Sequence, residues 1–583
     1  MKHLILLFSL LLSFTFAIKA QNYENQEYKS AFESAYKACP EVPRGWLEAV
    51  SFTNTQCHHL TDADYHSNEP NAMPRAYGLM GLVKDGKHYF RENLRLVAEL
   101  SGIAEAEILA SPEMNVKAYS KAFERLAIEG KATKTKDYLS VIQQLSELPI
   151  GEEKDVFPMQ TMLYSVCLFL NNSDRATEYG FPKFDIDLKA VFGEDLERLS
   201  APELRVSRGP DYPLAIWDPA PECNWEPRTK PVSAVVIHYT EGSYAGCISW
   251  FKNCDAQVSA HYVIRSVDGQ VTQMVREADK AWHARTANGY TIGIEHEAYG
   301  NIWSFFTEEM YRSSADLIRD ICSRQAIING HRTFYRDTLD NGTCLNNGLH
   351  DLGGEEACTK IRGHQHYPDQ SHTDPGPYWD WNYYYKLINE GTPVTVLEGE
   401  EGRLDHQNYG NDERRIWVIR GPEESTVSLE FSSFHLEKDY DFLWIYDGDN
   451  VYAPKIGRWN TNNPGTVQAS GNVMCVEFRS DCGETDTGWE ASWKAVVPTP
   501  IEPEVPEIEA GVYPNPVFDK FTVNSDSEGF TDVVVFDVYG NEMVKVRFID
   551  SVEIDASHWP SGVYMVNYGE PSRLGHVVKL VKL

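Results

Sequence analysis

Ala234-Val-Val-Ile-His238-Tyr-Thr240 is an apolar run that ends in a histidine. That is the pattern of a buried strand delivering an imidazole to the edge of a sheet. Two further segments complete a set: Ile292-Gly-Ile-Glu295, and Gly363-His364 followed ten residues later by Asp374 in Ser371-His372-Thr-Asp374-Pro-Gly-Pro377. The Pro/Gly-rich stretch 363–377 reads as a loop able to bring His364 and Asp374 to the same ion as His238. Two neutral imidazoles and one carboxylate leave the fourth corner of a tetrahedral ion open to water, the catalytic rather than the structural arrangement for Zn2+. A single histidine at a strand end is more often a satisfied polar residue. The order and spacing of the three segments together carry the reading.

Around these residues the chain also has Ser259-Ala-His261-Tyr-Val-Ile-Arg265 followed by Asp268-Gly, and Ala281-Trp-His283-Ala. With them, residues of about 213–390 resemble the type 2 N-acetylmuramoyl-L-alanine amidases, zinc enzymes related to the peptidoglycan recognition proteins. The resemblance implies an α/β domain over 205–392, a mixed sheet flanked by helices. It also implies His238, His364 and Asp374 as Zn2+ ligands, Glu295 as the catalytic acid/base, and His372 as the group that stabilises developing charge. His283 resembles a substrate-binding position on a loop. His296 follows Glu295 in a strand and so points to the opposite face, and His261, in an alternating pattern, reads as structural.

Each step of amide hydrolysis has a candidate group. Zinc lowers the pKa of bound water to about 7. Glu295 can take the water proton and hand it to the leaving amine. The oxyanion of a tetrahedral intermediate needs a donor, and one such donor is typically worth about 3 kcal/mol; a protonated His372 is the candidate.

The chain has 583 residues, enough for several domains each with its own core. Lys2 and His3, an apolar stretch Leu4 to Phe16 and a small residue at Ala20 read as a signal peptide over 1–20. No other segment has the apolar length of a transmembrane helix. With 53 basic and 86 acidic residues the formal charge is −33, which argues against nucleic acid as a partner. None of the eleven cysteines falls in a Cys-x-x-Cys pattern, so disulfides are expected in an exported chain. The amidase resemblance implies a Cys247–Cys254 bridge. Cys475 with Cys482 and Cys344 with Cys358 are neighbouring candidates, while Cys39, Cys57 and Cys167 form an odd set.

Flanking modules extend the picture. In 21–200, mostly helical by pattern, Gly45-Trp-Leu-Glu48-Ala-Val-Ser-Phe-Thr-Asn54-Thr and Ala76-Tyr-Gly-Leu-Met-Gly-Leu82 are similar to the lysozyme-like fold of soluble lytic transglycosylases. Asn54 stands where that family has its glutamate, and an amide cannot protonate a glycosidic oxygen, so the expectation is an inactive, glycan-binding domain, or a helical spacer. Glu48 is the carboxylate that could take over. Residues 395–497 alternate as strands, and Asp439-Tyr-Asp441-Phe-Leu-Trp-Ile-Tyr-Asp447-Gly with Phe478-Arg-Ser-Asp481 resemble a CUB β-sandwich. There Glu437, Asp441 and Asp481 are implied to share a Ca2+ ion, consistent with its preference for hard oxygen ligands. The cysteine usual before the Tyr-Asp pair is absent. Solvated acids in a loop are the alternative. Residues 498–510 read as a Pro/Glu-rich linker. Val512-Tyr-Pro-Asn-Pro516 and Val533-Val-Val-Phe-Asp-Val-Tyr-Gly540 resemble a type IX secretion sorting domain over 511–583, a β-sandwich.

The function expected is a secreted or surface-held zinc amidase of a Gram-negative bacterium. It would exit through the type IX secretion machinery and cut peptidoglycan between N-acetylmuramic acid and L-alanine. The alternatives are a recognition protein that binds peptidoglycan without cutting it, and a zinc hydrolase of another amide.

Overall fold

A computed structural model describes residues 28–583 except 66–68, 201–209, 301, 326, 337–343, 497–510, 526–529, 550, 571 and 572. The expected signal peptide and the 498–510 linker fall outside the described residues. No helix among the described residues is long and apolar enough to cross a membrane.

The sheet that carries the histidine is mixed, as expected. In order across it lie strands Ile361–Gly363, Ala234–Tyr239, Thr291–His296, Tyr262–Ile264, Val271–Gln273 and Ile216–Trp217; only the 262–264 and 271–273 pair is antiparallel. Alternation sorts the side chains to two faces. Val235, Ile237, Ile292 and Ile294 pack with Leu317, Ile318 and Ile321 of helix Glu308–Arg324 and with Trp381 and Tyr384 of helix Trp381–Ile388. Ala234, Val236 and His238 take the other face, and the parallel register sets His238 beside Glu295. His296 points the other way, its Nε2 2.8 Å from Ser314 Oγ of the packed helix.

Before this sheet comes a helical unit. Its longest members are Pro112–Glu129, capped by Ser111 with proline at the first turn, and Glu153–Asn171, whose apolar side chains are buried on nearly every side. The unit does not stand apart from the amidase fold. Phe52, Met162 and Phe169 share one core with Tyr244, Trp250 and Phe251 of and beside helix Tyr244–Trp250, and a second shared cluster joins Leu60 and Tyr65 to Tyr239, Tyr299 and Phe305.

After it, two five-stranded sheets with inner-face Leu429, Phe434, Leu443, Val476, Phe478 and Trp489 form a β-sandwich. A smaller pair of sheets, three- and four-stranded, closes over Val512, Phe521, Val533, Val535 and Val566. The first sandwich is fixed to the amidase fold by a shared aromatic cluster of Tyr335, Tyr385, Phe442 and Trp444, by Arg332 to Asp412 at 2.9 Å, and by a buried charge network centred on Glu477.

The cysteine expectations need correction. Cys254 bonds Cys223, not Cys247, which stays reduced inside helix Tyr244–Trp250 with its thiol pushed up by burial. Cys482 bonds Cys358 rather than Cys475, so this bridge crosslinks the sandwich to the amidase fold. Cys475 is a buried thiol on strand Val473–Arg479. Sequence neighbours lost to partners brought close by tertiary packing.

Candidate metal centre

His238 ends its strand, His364 opens the short helix His364–His366 just after strand Ile361–Gly363, and Asp374 returns on the following loop. All three are buried, and their ligand atoms lie within 4.8 Å of one another. Asp374 Oδ2 is 2.8 Å from His238 Nδ1, and Oδ1 is 3.0 Å from His364 Nδ1. Burial works to raise the Asp374 carboxyl, but His364 and His238 hold it well below the usual range. Burial, then His364, pushes His238 down to about 4, so its imidazole is neutral at pH 7, the form that binds a metal.

The far nitrogens of both rings are engaged. His238 Nε2 is 3.0 Å from His283 Nδ1, and His364 Nε2 is 2.6 Å from Gln370 Oε1. Such outer contacts fix ring orientation at metal sites. They also revise the reading of His283. Its other nitrogen is 3.3 Å from Thr291 Oγ1, so Nδ1 is engaged by His238 and Nε2 by Thr291. The glycine of Ile292-Gly-Ile-Glu295 is explained by the same ring: a Cβ on Gly293 would sit 2.6 Å from it. His261 is structural, as expected, with Nδ1 accepting from the Gly293 amide at 3.0 Å.

Glu295 faces the trio from the neighbouring strand. One of its oxygens is buried without a hydrogen-bond partner, an arrangement that costs free energy unless a ligand or water is received there. Burial, then Asp374 and Glu241, pushes its carboxyl well above the usual range. Glu241 itself was not anticipated; its left-handed backbone, φ 48°, at the end of the His238 strand is the mark of a constrained site. His372 stacks on His364 with ring centroids 5.1 Å apart. Burial holds its pKa below the ordinary value, against the opposing pull of Asp374. Gln370 and Arg285 were also missed, although both lie within two residues of a histidine that was singled out.

The three acids that the CUB resemblance implied come together. Glu437, Asp441 and Asp481 bring carboxylate oxygens within 4.8 Å of one another. Asp441 is wholly buried, and both Asp441 Oδ2 and Glu437 Oε2 lack hydrogen-bond partners. Burial and neighbouring carboxylates push Glu437 up to about 7, and burial foremost does the same to Asp441. In the helical unit, Glu48 is buried and accepts a hydrogen bond from Tyr36 Oη; burial pushes its carboxyl up to about 7. Asn54 Nδ2 donates to Met80 O at 3.1 Å, and the Asn54 backbone carbonyl accepts from Tyr299 Oη of the amidase fold at 3.3 Å.

Two histidines and an aspartate gathered in one buried cluster, with a glutamate facing it from the next strand of a mixed sheet, form the arrangement of a metal-dependent hydrolase. The N-acetylmuramoyl-L-alanine amidase family model matches residues 228–377, the CUB domain model 395–493, and the secretion system C-terminal sorting domain model 511–582. N-acetylmuramoyl-L-alanine amidase A of Achromobacter lyticus is 42% identical over 188 residues, 31% of this chain and 97% of that protein. The chain belongs to the N-acetylmuramoyl-L-alanine amidase family. Its C-terminal module is a secretion sorting domain, which directs it to the cell surface or beyond. Human cubilin is 24% identical over 178 residues, 26% of this chain but 5% of cubilin, so the chain spans a small part of that relative. Among solved structures, PlyL is similar at 15% identity over 25% of this chain and 76% of that one, with a TM-score of 0.18. The MASP-1 CUB2 domain bound to Ca2+ is similar at 19% identity over 17% and 96%, with a TM-score of 0.15.

Proposed function

We propose that this protein is a secreted, zinc-dependent amidase that hydrolyses the bond between N-acetylmuramic acid and L-alanine in peptidoglycan. The observation that carries the reading is the orphaned Glu295 oxygen facing three convergent metal-ligand atoms. The donor set, two imidazole nitrogens and a carboxylate, suits zinc and leaves a coordination position open. Bound there, zinc would act as a Lewis acid on the scissile carbonyl and supply hydroxide near neutral pH.

The chain's own residues do the rest. His238, His364 and Asp374 hold the ion, with His283 and Gln370 orienting the rings. Glu295 accepts the proton of the attacking water and returns it to the leaving nitrogen of L-alanine. The carboxylate form it needs is costly in this pocket alone and is stabilised beside a dication. His372 donates an N–H toward the developing oxyanion, a role a neutral imidazole can fill with one hydrogen bond. Replacing His283 with alanine is expected to weaken zinc binding about 10- to 100-fold; competition with a chelator of known affinity measures it, and unchanged affinity would remove His283 from the outer shell.

The CUB-like module supports a second site. Glu437, Asp441 and Asp481 are read as Ca2+ ligands, because buried carboxylate oxygens without partners are costly unless a cation receives them. Millimolar Ca2+ is expected to raise the thermal midpoint of the full chain, and Asp441→Asn to abolish the rise. An equal rise in the variant would discard the site. The helical unit is read as lysozyme-like but inactive, with Asn54 in place of the acid; the chain should release no anhydro-muropeptides from sacculi. Export is assigned to the type IX machinery of a Gram-negative bacterium, and cell-free medium and outer-surface fractions test it.

A further inference from the structure

We propose that the helical unit is a working wall of the amidase cleft, and that Glu69, reaching out of it, is a positioning residue for amide hydrolysis. The inference rests on the assignment of the cleft above.

Two loops hold the rings that hold the metal. One carries His283, behind His238, and continues through Ala284 and Arg285; the other carries Gln370, behind His364, and continues through Ser371 to His372 and Asp374. Gln370 Nε2 donates to Ala284 O at 3.2 Å, a first tie between them. Arg285 makes the second, donating from Nη1 to Asp369 O at 3.0 Å and from Nη2 to Ser371 Oγ at 2.6 Å. Glu69 closes the set. Its Oε1 accepts from Arg285 Nη2 at 2.8 Å and from Ser371 Oγ at 2.8 Å. A single carboxylate oxygen, 216 positions earlier than Arg285, therefore bonds both loops at once.

Glu69 is held from behind. Asn71 O accepts from Trp250 Nε1 at 3.0 Å, and Pro70 O from Lys87 Nζ at 3.1 Å. The Met73 methyl fills the space beside Gly242, where a Cβ would meet it at 1.7 Å. The segment is thus laid along the amidase fold four residues after His238. The same unit also meets the amidase fold at Tyr299, whose Oη donates to the Asn54 backbone carbonyl, and through the cluster around Leu60 and Tyr65, contacts that suit a wall. The side chains of Glu69 and Arg285 are 35% and 48% exposed, so the pair adds little to global stability. What it controls is loop geometry, to which positioned reactions are sensitive.

The test uses the full chain and its Glu69→Ala, Glu69→Gln, Arg285→Ala and Glu69→Ala/Arg285→Ala variants. The readouts are kcat and KM on a muramyl-peptide, zinc per chain and the thermal midpoint. Glu69→Ala is expected to lower kcat about 5-fold, or about 1 kcal/mol at 1.36 kcal/mol per tenfold, with KM, zinc content and midpoint unchanged. Glu69→Gln should recover part of it, since an amide oxygen still accepts from Ser371. The double variant should be no slower than Arg285→Ala alone, the non-additivity of residues acting as one unit. An unchanged kcat in Glu69→Ala, additive losses, or a loss that tracks the midpoint would overturn the clamp while leaving the amidase reading intact. An unmodified chain that fails to cut the amide would overturn both.

Discussion

Glu295→Gln is expected to lower kcat for amide hydrolysis by about 10²- to 10⁴-fold while the chain keeps its zinc. The substitution preserves the shape of a side chain whose strand neighbours, Ile294 and His296, are fully packed, so the sheet should survive it. Glu295 contributes no atom to the cluster of His238, His364 and Asp374, so metal binding should survive as well. What is lost is the ability to accept a proton from water and give it to the leaving amine, which an amide cannot do at any accessible pH. Steady-state kinetics paired with metal analysis of the same sample checks it. Near-native turnover with zinc bound would assign the proton transfer to another group, of which Glu241, whose charge acts on Glu295, is one candidate.

Glu477→Gln should have the largest effect on stability, about 3–5 kcal/mol. Glu477 is wholly buried between the sandwich and the amidase fold, accepting from Arg414 Nε at 2.7 Å, Arg479 Nε at 2.9 Å and Tyr446 Oη at 2.9 Å. The two guanidiniums are also buried, and removing the carboxylate charge leaves both uncompensated. Burial works to raise this carboxyl, but Arg479, Arg414 and Lys386 pull it far below the usual range. The sign follows: a depressed folded pKa contributes stability above the unfolded value, about 4.3, and that contribution drains away as pH falls toward the folded one. The gap between native and variant unfolding free energies should therefore be full at pH 6 and shrink below about pH 4. A gap independent of pH would mean that Glu477 acts through packing alone.

The three ligands and the glutamate facing them were legible because they occupy positions that local pattern marks: a histidine closing an apolar strand, a glutamate in an apolar alternation, a histidine and aspartate inside one Pro/Gly loop. The face of His296 followed from period-two alternation alone. The groups that hold the ligands were not legible. His283 lies on a loop whose direction no periodicity fixes, and Gln370 and Glu69 act through contacts between segments that only the folded chain brings together. The cysteines failed for the same reason, since Cys358 and Cys482 meet across two folding units, 124 positions apart. The helical region was legible as helical but not in its attachment; Phe52 and Trp250 share a core that neither segment's own pattern announces.

Mass spectrometry of sacculi digested by the full chain tests the central claim most directly. Zinc-loaded protein should release free stem peptides that begin with an unblocked L-alanine, leaving glycan strands whose muramic acids carry free lactyl carboxylates. Chelation should stop the release and added zinc should restore it. Peptides released by cleavage within the stem, or intact sacculi after prolonged digestion with zinc bound, would contradict it.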